Sequence, residues 1–303
     1  MVKKLILALV AILLCVPCSS QAQQRRKLKL LISVDMEGIG GVVTEAQLGP
    51  GVDGWEYQRF REFMTAEANA AIQAAFDAGA TEIVVADSHG NGQNLLIEKL
   101  PKGVTVVRSW PRPLMMMQGI DDSFDGAIFI GYHASTANSA GVRAHTISSA
   151  RFADVRFNGA SMSEASINAA IAGHFGVPVL MISGDDAAVA EAQKQIGPIE
   201  GAVVKWNYGF HSARTLTPEA AQELIREKVK RAVTRIGEFN PYRMGAPVLL
   251  EIQFKNYRPA EVLAYLSIVE RVDSHTIRFT GKDIVEVTKF IEFVTQYESN
   301  LSP

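Results

Sequence analysis

Beyond residue 18 this chain of 303 residues has no cysteine, since its two, Cys15 and Cys18, both fall near the start. Whatever follows that segment is neither a thiol enzyme nor a disulfide scaffold. No sign of charge dominates either. There are 30 Lys+Arg against 32 Asp+Glu, a formal net charge of −2, so there is no basic footprint for nucleic acid. No internal repeat and no low-complexity linker occur, and 48% hydrophobic with 20% charged residues excludes disorder, collagen and coiled coil. The one long apolar run, Leu5–Val16, falls short of the ~20 residues that a spanning helix needs.

That run has an address-like setting. Lys3 and Lys4 precede it, and Ser20-Gln21-Ala22 places small residues at the −3 and −1 positions of a cleavage site. Residues 1–22 therefore read as a signal peptide cut after Ala22, and the protein as exported, periplasmic or secreted, with no membrane anchor left after cleavage. Leu14 and Pro17 precede the two cysteines, which excludes the small-residue context of lipidation. Cleavage removes both cysteines, so stability must come from the core, from oligomerisation or from metal.

The remainder alternates short apolar runs with helical patterns. Lys27–Val34, Glu82–Ala86, Val104–Val107, Ala127–Gly131 and Pro178–Ile182 read as buried strands. Tyr57–Ala78 carries apolar residues at i, i+3, i+4 spacing with Gly79 as a C-cap, and helices are expected at Glu164–His174, Ala187–Ile196 and Thr217–Ile236. This is the pattern of an α/β fold with a mostly parallel sheet layered with helices. Arg151–Asn158 alternates and is expected to form a hairpin with the strand before it. After Asn240-Pro241 the style changes, so 23–240 reads as the catalytic α/β domain and 241–303 as a smaller C-terminal α+β subdomain.

Three of the strands end in residues that bind metals. The first runs into Asp35-Met36-Glu37-Gly38, where i and i+2 share a face. The second ends in Asp87-Ser88-His89 and the fourth in Gly131-Tyr132-His133. Singly, each motif is ordinary loop polarity. Carboxyl ends of parallel strands share one rim of the sheet, however, and two acids with two imidazoles on that rim suit Zn²⁺ or a similar divalent ion.

Ser33-Val34-Asp35-Met36-Glu37-Gly38, Asp87-Ser88-His89, Gly131-Tyr132-His133-Ala134 and Gly184-Asp185-Asp186, taken in that order, resemble the D-aminopeptidase (DppA) family of dinuclear-zinc peptidases. The resemblance runs from about Leu28 to the final helix. It implies two Zn²⁺ per subunit on Asp35, Glu37, His89, His133 and Glu164, with Asp35 as the bridge and His145 as the catalytic histidine. It also implies ring-shaped homo-oligomers that admit short peptides with N-terminal D-amino acids, D-Ala peptides among them. Metals held in this way activate water, so no Ser or Cys nucleophile is needed, and His145 serves as acid–base or oxyanion donor.

Other assignments stay open at this stage. Asn168, one turn beyond Glu164, is a candidate substrate or supporting contact, and Asp185-Asp186 or a metal could take the substrate amine. His174, His211 and His275 read as structural or surface residues, and Met115-Met116-Met117 as packing or interface. The alternatives to a D-aminopeptidase are a metal-dependent L-aminopeptidase or amidase on the same scaffold, or a periplasmic peptide-binding protein without the chemistry.

Overall fold

Lys29–Val34 (KLLISV) is buried at every position after the first, so it needs cover on both faces. This is strand β1, and the computed structural model, which describes residues 27–297, places it in the middle of a sheet. The signal-peptide segment 1–22 lies outside the described residues. Helix α1 (Tyr57–Asp77) follows, then strands β2 (Glu82–Asp87), β3 (Val104–Val107), β4 (Gly126–Tyr132), β5 (Phe152–Phe157) and β6 (Ala160–Ser161). Next come helix α2 (Glu164–His174), strand β7 (Val179–Asp185), helix α3 (Asp186–Ile196), strands β8 (Glu200–Gly209) and β9 (Ser212–Thr215), and helix α4 (Pro218–Thr234). Strand β10 (Val248–Phe254), helix α5 (Tyr257–Leu263), strands β11 (Val269–Arg271) and β12 (Thr276–Gly281), and helix α6 (Ile284–Gln296) complete the described chain. Among these residues no helix is long and apolar enough to cross a membrane.

The first sheet has seven strands in the order β3-β2-β1-β4-β7-β8-β9, parallel except for the terminal β9. Its two faces are covered differently. Leu30, Ile32 and Val34 of β1 join the core beneath α1 and α4, whereas Leu31 faces the core shared with α2, α6 and the second sheet. Each such side chain, fully removed from water, contributes roughly 1.5–3 kcal/mol. Helix starts are supplied locally: the side chains of Ser163, Asp185 and Asp283 accept the backbone N–H of Ser166, Ala188 and Glu286 at the heads of α2, α3 and α6.

The second sheet corrects two expectations. Its order is β11-β12-β10-β5-β6, all antiparallel, so Arg151–Asn158 pairs with the strand after it and with β10, not with the strand before it. The reason is that β4 already has β1 and β7 on its two edges and has no free edge to offer. A division at residue 240 likewise cuts through one sheet, since β5 and β6 sit on the N-terminal side of it and β10 to β12 on the other. Strands β8 and β9 were not anticipated from the sequence.

The order β3-β2-β1-β4 reverses its direction of growth at the β1/β4 pair, which opens a crevice at the carboxyl ends of those strands. Two glycines make the approach possible there. Gly38 N–H donates to the Gly131 carbonyl at 2.7 Å, and Asp35 N–H to that of Ile130 at 2.8 Å. Gly131 has φ +74°, and a Cβ on it would lie 2.3 Å from the Asp35 carbonyl oxygen. The expected outcome for Gly131→Ala is a loss of about 2–4 kcal/mol in urea denaturation, the sum of left-handed strain and overpacking. A loss within error of zero would contradict this reading of the junction.

Candidate metal centre

The crevice gathers ligands from four elements. Asp35 and Glu37 leave β1 with Met36 turned into the core between them. His133 is the residue after β4, and Glu164 is the first residue of α2. His89 stands on the loop after β2, whose shape Asp87 sets. The Asp87 carboxylate accepts the N–H groups of Asn94 (2.6 Å) and Leu95 (2.7 Å), and Asn94 Nδ2 donates back to the His89 carbonyl at 2.6 Å.

The ligand atoms form two trios, each with its atoms within 4.8 Å of one another: Asp35, Glu37 and His89, and His133, His145 and Glu164. Asp35 faces both. Its Oδ1 is 3.2 Å from His89 Nδ1 and its Oδ2 is 3.4 Å from His133 Nε2. Glu37 Oε2 is 2.9 Å from His89 Nδ1, and Glu164 Oε2 is 3.4 Å from His133 Nε2. His145 is set more loosely, with Nε2 3.8 Å from Glu164 Oε1 and 4.0 Å from Glu37 Oε1, and its ring stacks on His133 at 4.0 Å.

Backbone carbonyls decide which ring nitrogens face the site. His89 Nε2 meets the Leu48 carbonyl at 2.7 Å, His133 Nδ1 that of Ala134 at 3.0 Å, and His145 Nδ1 that of Arg143 at 2.8 Å. A carbonyl only accepts, so each of those nitrogens carries the hydrogen and the other nitrogen turns a lone pair toward the carboxylates. Lone pair against carboxylate is repulsive unless a proton or a cation lies between. Asp35 Oδ2, Glu37 Oε2 and His133 Nε2 are buried with no hydrogen-bond partner. Three imidazoles and three carboxylates with orphaned atoms fit a pair of divalent ions.

The electrostatics agree. Burial, then the charge of Glu37, pushes Asp35 up to about 8. Burial opposes charge on His133, but Glu164 and then Asp35 draw it up to about 10. Burial would also raise Glu37, yet the adjacent His89 overrides it and holds that carboxyl well below its usual range. His145 differs: burial, then the neighbouring His133, lowers its pKa and keeps it neutral. Protons shared in this way are what divalent cations displace on binding.

Behind the ligands lies a clamp. Lys205 of β8 is fully buried, and its ammonium donates to the carbonyls of Glu37, of Ile39 at 3.2 Å and of Val42 at 2.7 Å, using all three of its protons. Glu67 of α1 accepts Gly40 N–H at 2.9 Å, and Thr215 of β9 accepts Gly41 N–H at 2.8 Å. The loop after β1 is therefore pinned from three elements. The sequence signal was a lysine inside the apolar run Ala202–Trp206, but nothing there says what it holds.

The ligands line a cavity of about 430 Å³ whose other walls include Trp110, Met115, Met116, Arg151 and Glu292. The D-aminopeptidase family model matches residues 28–293, almost the whole described chain. The chain belongs to the D-aminopeptidase family. It is 35% identical over 273 residues to the D-aminopeptidase of Bacillus subtilis (strain 168), covering 89% of this chain and 97% of that one. It also superposes with a TM-score of 0.84 and 34% identity on a solved structure described as the Zn-dependent D-aminopeptidase DppA from Bacillus subtilis, a self-compartmentalizing protease. That match covers 91% of this chain and all 100% of the other.

As a D-aminopeptidase the chain is a metallo-aminopeptidase, a peptide hydrolase. Of the seven residues expected at its site, the five ligands and His145 converge on one cavity. Asn168 does not line it: the side chain is buried and donates to the Tyr132 hydroxyl at 2.9 Å, which in turn donates to Ser33 Oγ at 2.7 Å. Asn168 thus supports the floor of the site from behind. Asp185 and Asp186 do not face the cavity either. Asp185 caps α3 and accepts Val142 N–H at 2.5 Å, and Asp186 accepts Asn207 N–H at 3.0 Å. Met115–Met117 are buried packing, with two of them in the cavity wall. His174, His211 and His275 lie outside the cavity lining.

The clamp of this D-aminopeptidase makes a pH-dependent prediction. Burial pushes Glu67 from 4.5 up to about 7. A carboxyl raised in the fold contributes stability that is fully present below its unfolded pKa and lost as pH rises through the folded one. Glu67→Gln keeps the acceptor for Gly40 without the charge. Its stability relative to the parent is expected to rise between pH 4.5 and 7. Above that window the gain reaches up to about 3 kcal/mol in urea denaturation of chelated protein. A difference that does not widen with pH would contradict the buried placement of this carboxyl.

Proposed function

We propose that this protein is a dinuclear-zinc D-aminopeptidase that releases N-terminal D-amino acids from short peptides, D-Ala peptides among them, after export through its leader. The observation that carries this reading is the pair of trios joined by Asp35, one oxygen toward each. One zinc would be held by Asp35, Glu37 and His89 and the other by Asp35, His133 and Glu164. Bound there, the ions supply an activated water and a Lewis acid for the scissile carbonyl.

The chain's own residues then divide the work. Asp35, Glu37 and Glu164 would hold negative charge against the bound ions, with the loop after β1 kept in place by Lys205 and Glu164 by Ile147 N–H, which donates to its Oε1 at 2.7 Å. His145 is neutral, tautomer-fixed by the Arg143 carbonyl, and presents Nε2 at the edge of the ligand cluster. That atom takes the proton from the attacking water and returns it to the leaving amine. Its longer distances to Glu164 and Glu37 favour the proton-transfer role over permanent ligation. Assembly into a homo-oligomer enclosing its sites, a reading supported by the description of the DppA structure as self-compartmentalizing, would restrict access to short peptides.

Hydrolysis of D-Ala-D-Ala beside L-Ala-L-Ala, with and without chelator, tests the assignment. Chelator-sensitive cleavage of the D-peptide alone is expected, and cleavage of the L-peptide alone would replace it with an L-aminopeptidase. The roles separate by metal analysis. Glu164→Ala should lose about half of its zinc, whereas His145→Ala should keep its zinc and lose about 10²- to 10⁴-fold in kcat. Zinc loss in His145→Ala would make His145 a ligand instead.

A further inference from the structure

The metal cavity is not the only space that reaches His145. A second cavity, of about 520 Å³, adjoins it, and His145 and Ser149 belong to the walls of both. The two walls differ in charge. Apart from the three ligand carboxylates, the metal side carries one cation, Arg151, balanced by one carboxylate, Glu292, whose Oε1 accepts Arg112 N–H at 2.6 Å. The far side carries two permanent cations, Arg143 and Lys255, and one carboxylate, Glu45.

Neither cation is used up by the fold. Arg143 is buried, packs over the Phe210 ring at 5.1 Å, pairs with Glu45 through Nη2 and meets His211 Nε2 from Nη1 at 3.5 Å. Its Nε has no partner, and neither does the buried hydroxyl of Thr136 in the same wall. Lys255, just beyond β10, donates to the Ser149 carbonyl at 2.5 Å and has no ion-pair partner among the described residues. Its backbone N–H is tied to the Arg151 carbonyl at 2.8 Å. The ammonium is thus fixed at the seam between the two cavities.

We propose that this second cavity is a carboxylate subsite, in which Lys255 and Arg143 receive the C-terminal α-carboxylate of a di- or tripeptide substrate. The inference rests on the peptidase reading. With the scissile carbonyl beside the metals and His145, the leaving residue extends into the second cavity. Extended chain advances about 3.5 Å per residue, so a wall that shares His145 and Ser149 with the metal cavity lies within reach of the terminal carboxylate of a di- or tripeptide. One carboxylate against two cations leaves one positive charge to be matched, and the substrate carboxylate matches it. The enzyme would then select short peptides by charge as well as by access, and would discriminate against C-terminally blocked ones.

The test compares D-Ala-D-Ala with its C-terminal amide, using the zinc-loaded protein and its Lys255→Met and Lys255→Arg variants. The parent is expected to prefer the free acid by about 10- to 100-fold in kcat/KM, expressed mainly in KM, as the loss of a charge-assisted hydrogen bond implies. The preference should collapse in Lys255→Met and return in Lys255→Arg. Equal use of acid and amide by the parent, or an unchanged preference in Lys255→Met, would overturn the subsite while leaving the peptidase intact. Cleavage of neither compound would overturn the D-aminopeptidase reading, and the subsite with it.

Discussion

The structure turns on the close approach of two backbones, the loop leaving β1 and the end of β4, joined by the Gly38 N–H to Gly131 carbonyl bond of 2.7 Å. Any side chain at either glycine would strike the other strand's backbone. That contact sets the distance between Asp35, on one strand end, and His133, on the other. With the distance set, one carboxylate can face both trios, so two metals rather than one become possible. Lys205 keeps the approach in register from the opposite side by saturating three carbonyls of the same loop.

Burial is the second constraint, and it works against the first. Asp35, Glu37 and Glu164 are all nearly inaccessible to water. Three such carboxylates cannot all stay charged without compensation, so the folded chain spreads positive charge around them on His89 and His133 and on the ammonium of Lys205. Zinc completes an arrangement that the protein chain leaves unfinished. The same low dielectric makes the position of His145 consequential. At the edge of the cluster it is discharged by burial and by its neighbour His133, and so it remains able to accept a proton.

The antiparallel sheet has its own part in this. Arg151, the residue before β5, and Glu292 and Thr295 of α6 complete the wall of the metal cavity, and Arg151 Nη1 donates to the Thr295 carbonyl at 2.9 Å. Lys255, at the end of β10, reaches the seam between the two cavities. The C-terminal strands therefore shape the substrate's surroundings while the parallel sheet carries the ligands. For that reason a cut at residue 240 does not separate a catalytic unit from an accessory one.

Much of this was legible in the sequence. Apolar runs alternating with helical periods identified the parallel strands other than β8, and most helices, because burial on both faces leaves a continuous hydrophobic signature. Strand-end acids and histidines marked the ligand set, because carboxyl ends of parallel strands share a rim by topology alone. Glu164 and His145 came through the family resemblance, since an acid opening a helix and a histidine in a loop carry no local signal of chemistry. What the sequence by itself determined is therefore the ligand chemistry and the sheet that presents it. Tertiary structure alone decided that Asn168 and Asp185 turn away from the cavity, that Lys205 and Glu67 grip the ligand loop, and that β5 pairs with β10. The physical reason is common to all of these: each depends on contacts between segments far apart in the chain, where the partner of a hydrogen bond is set by packing and leaves no periodicity in the residues that make it.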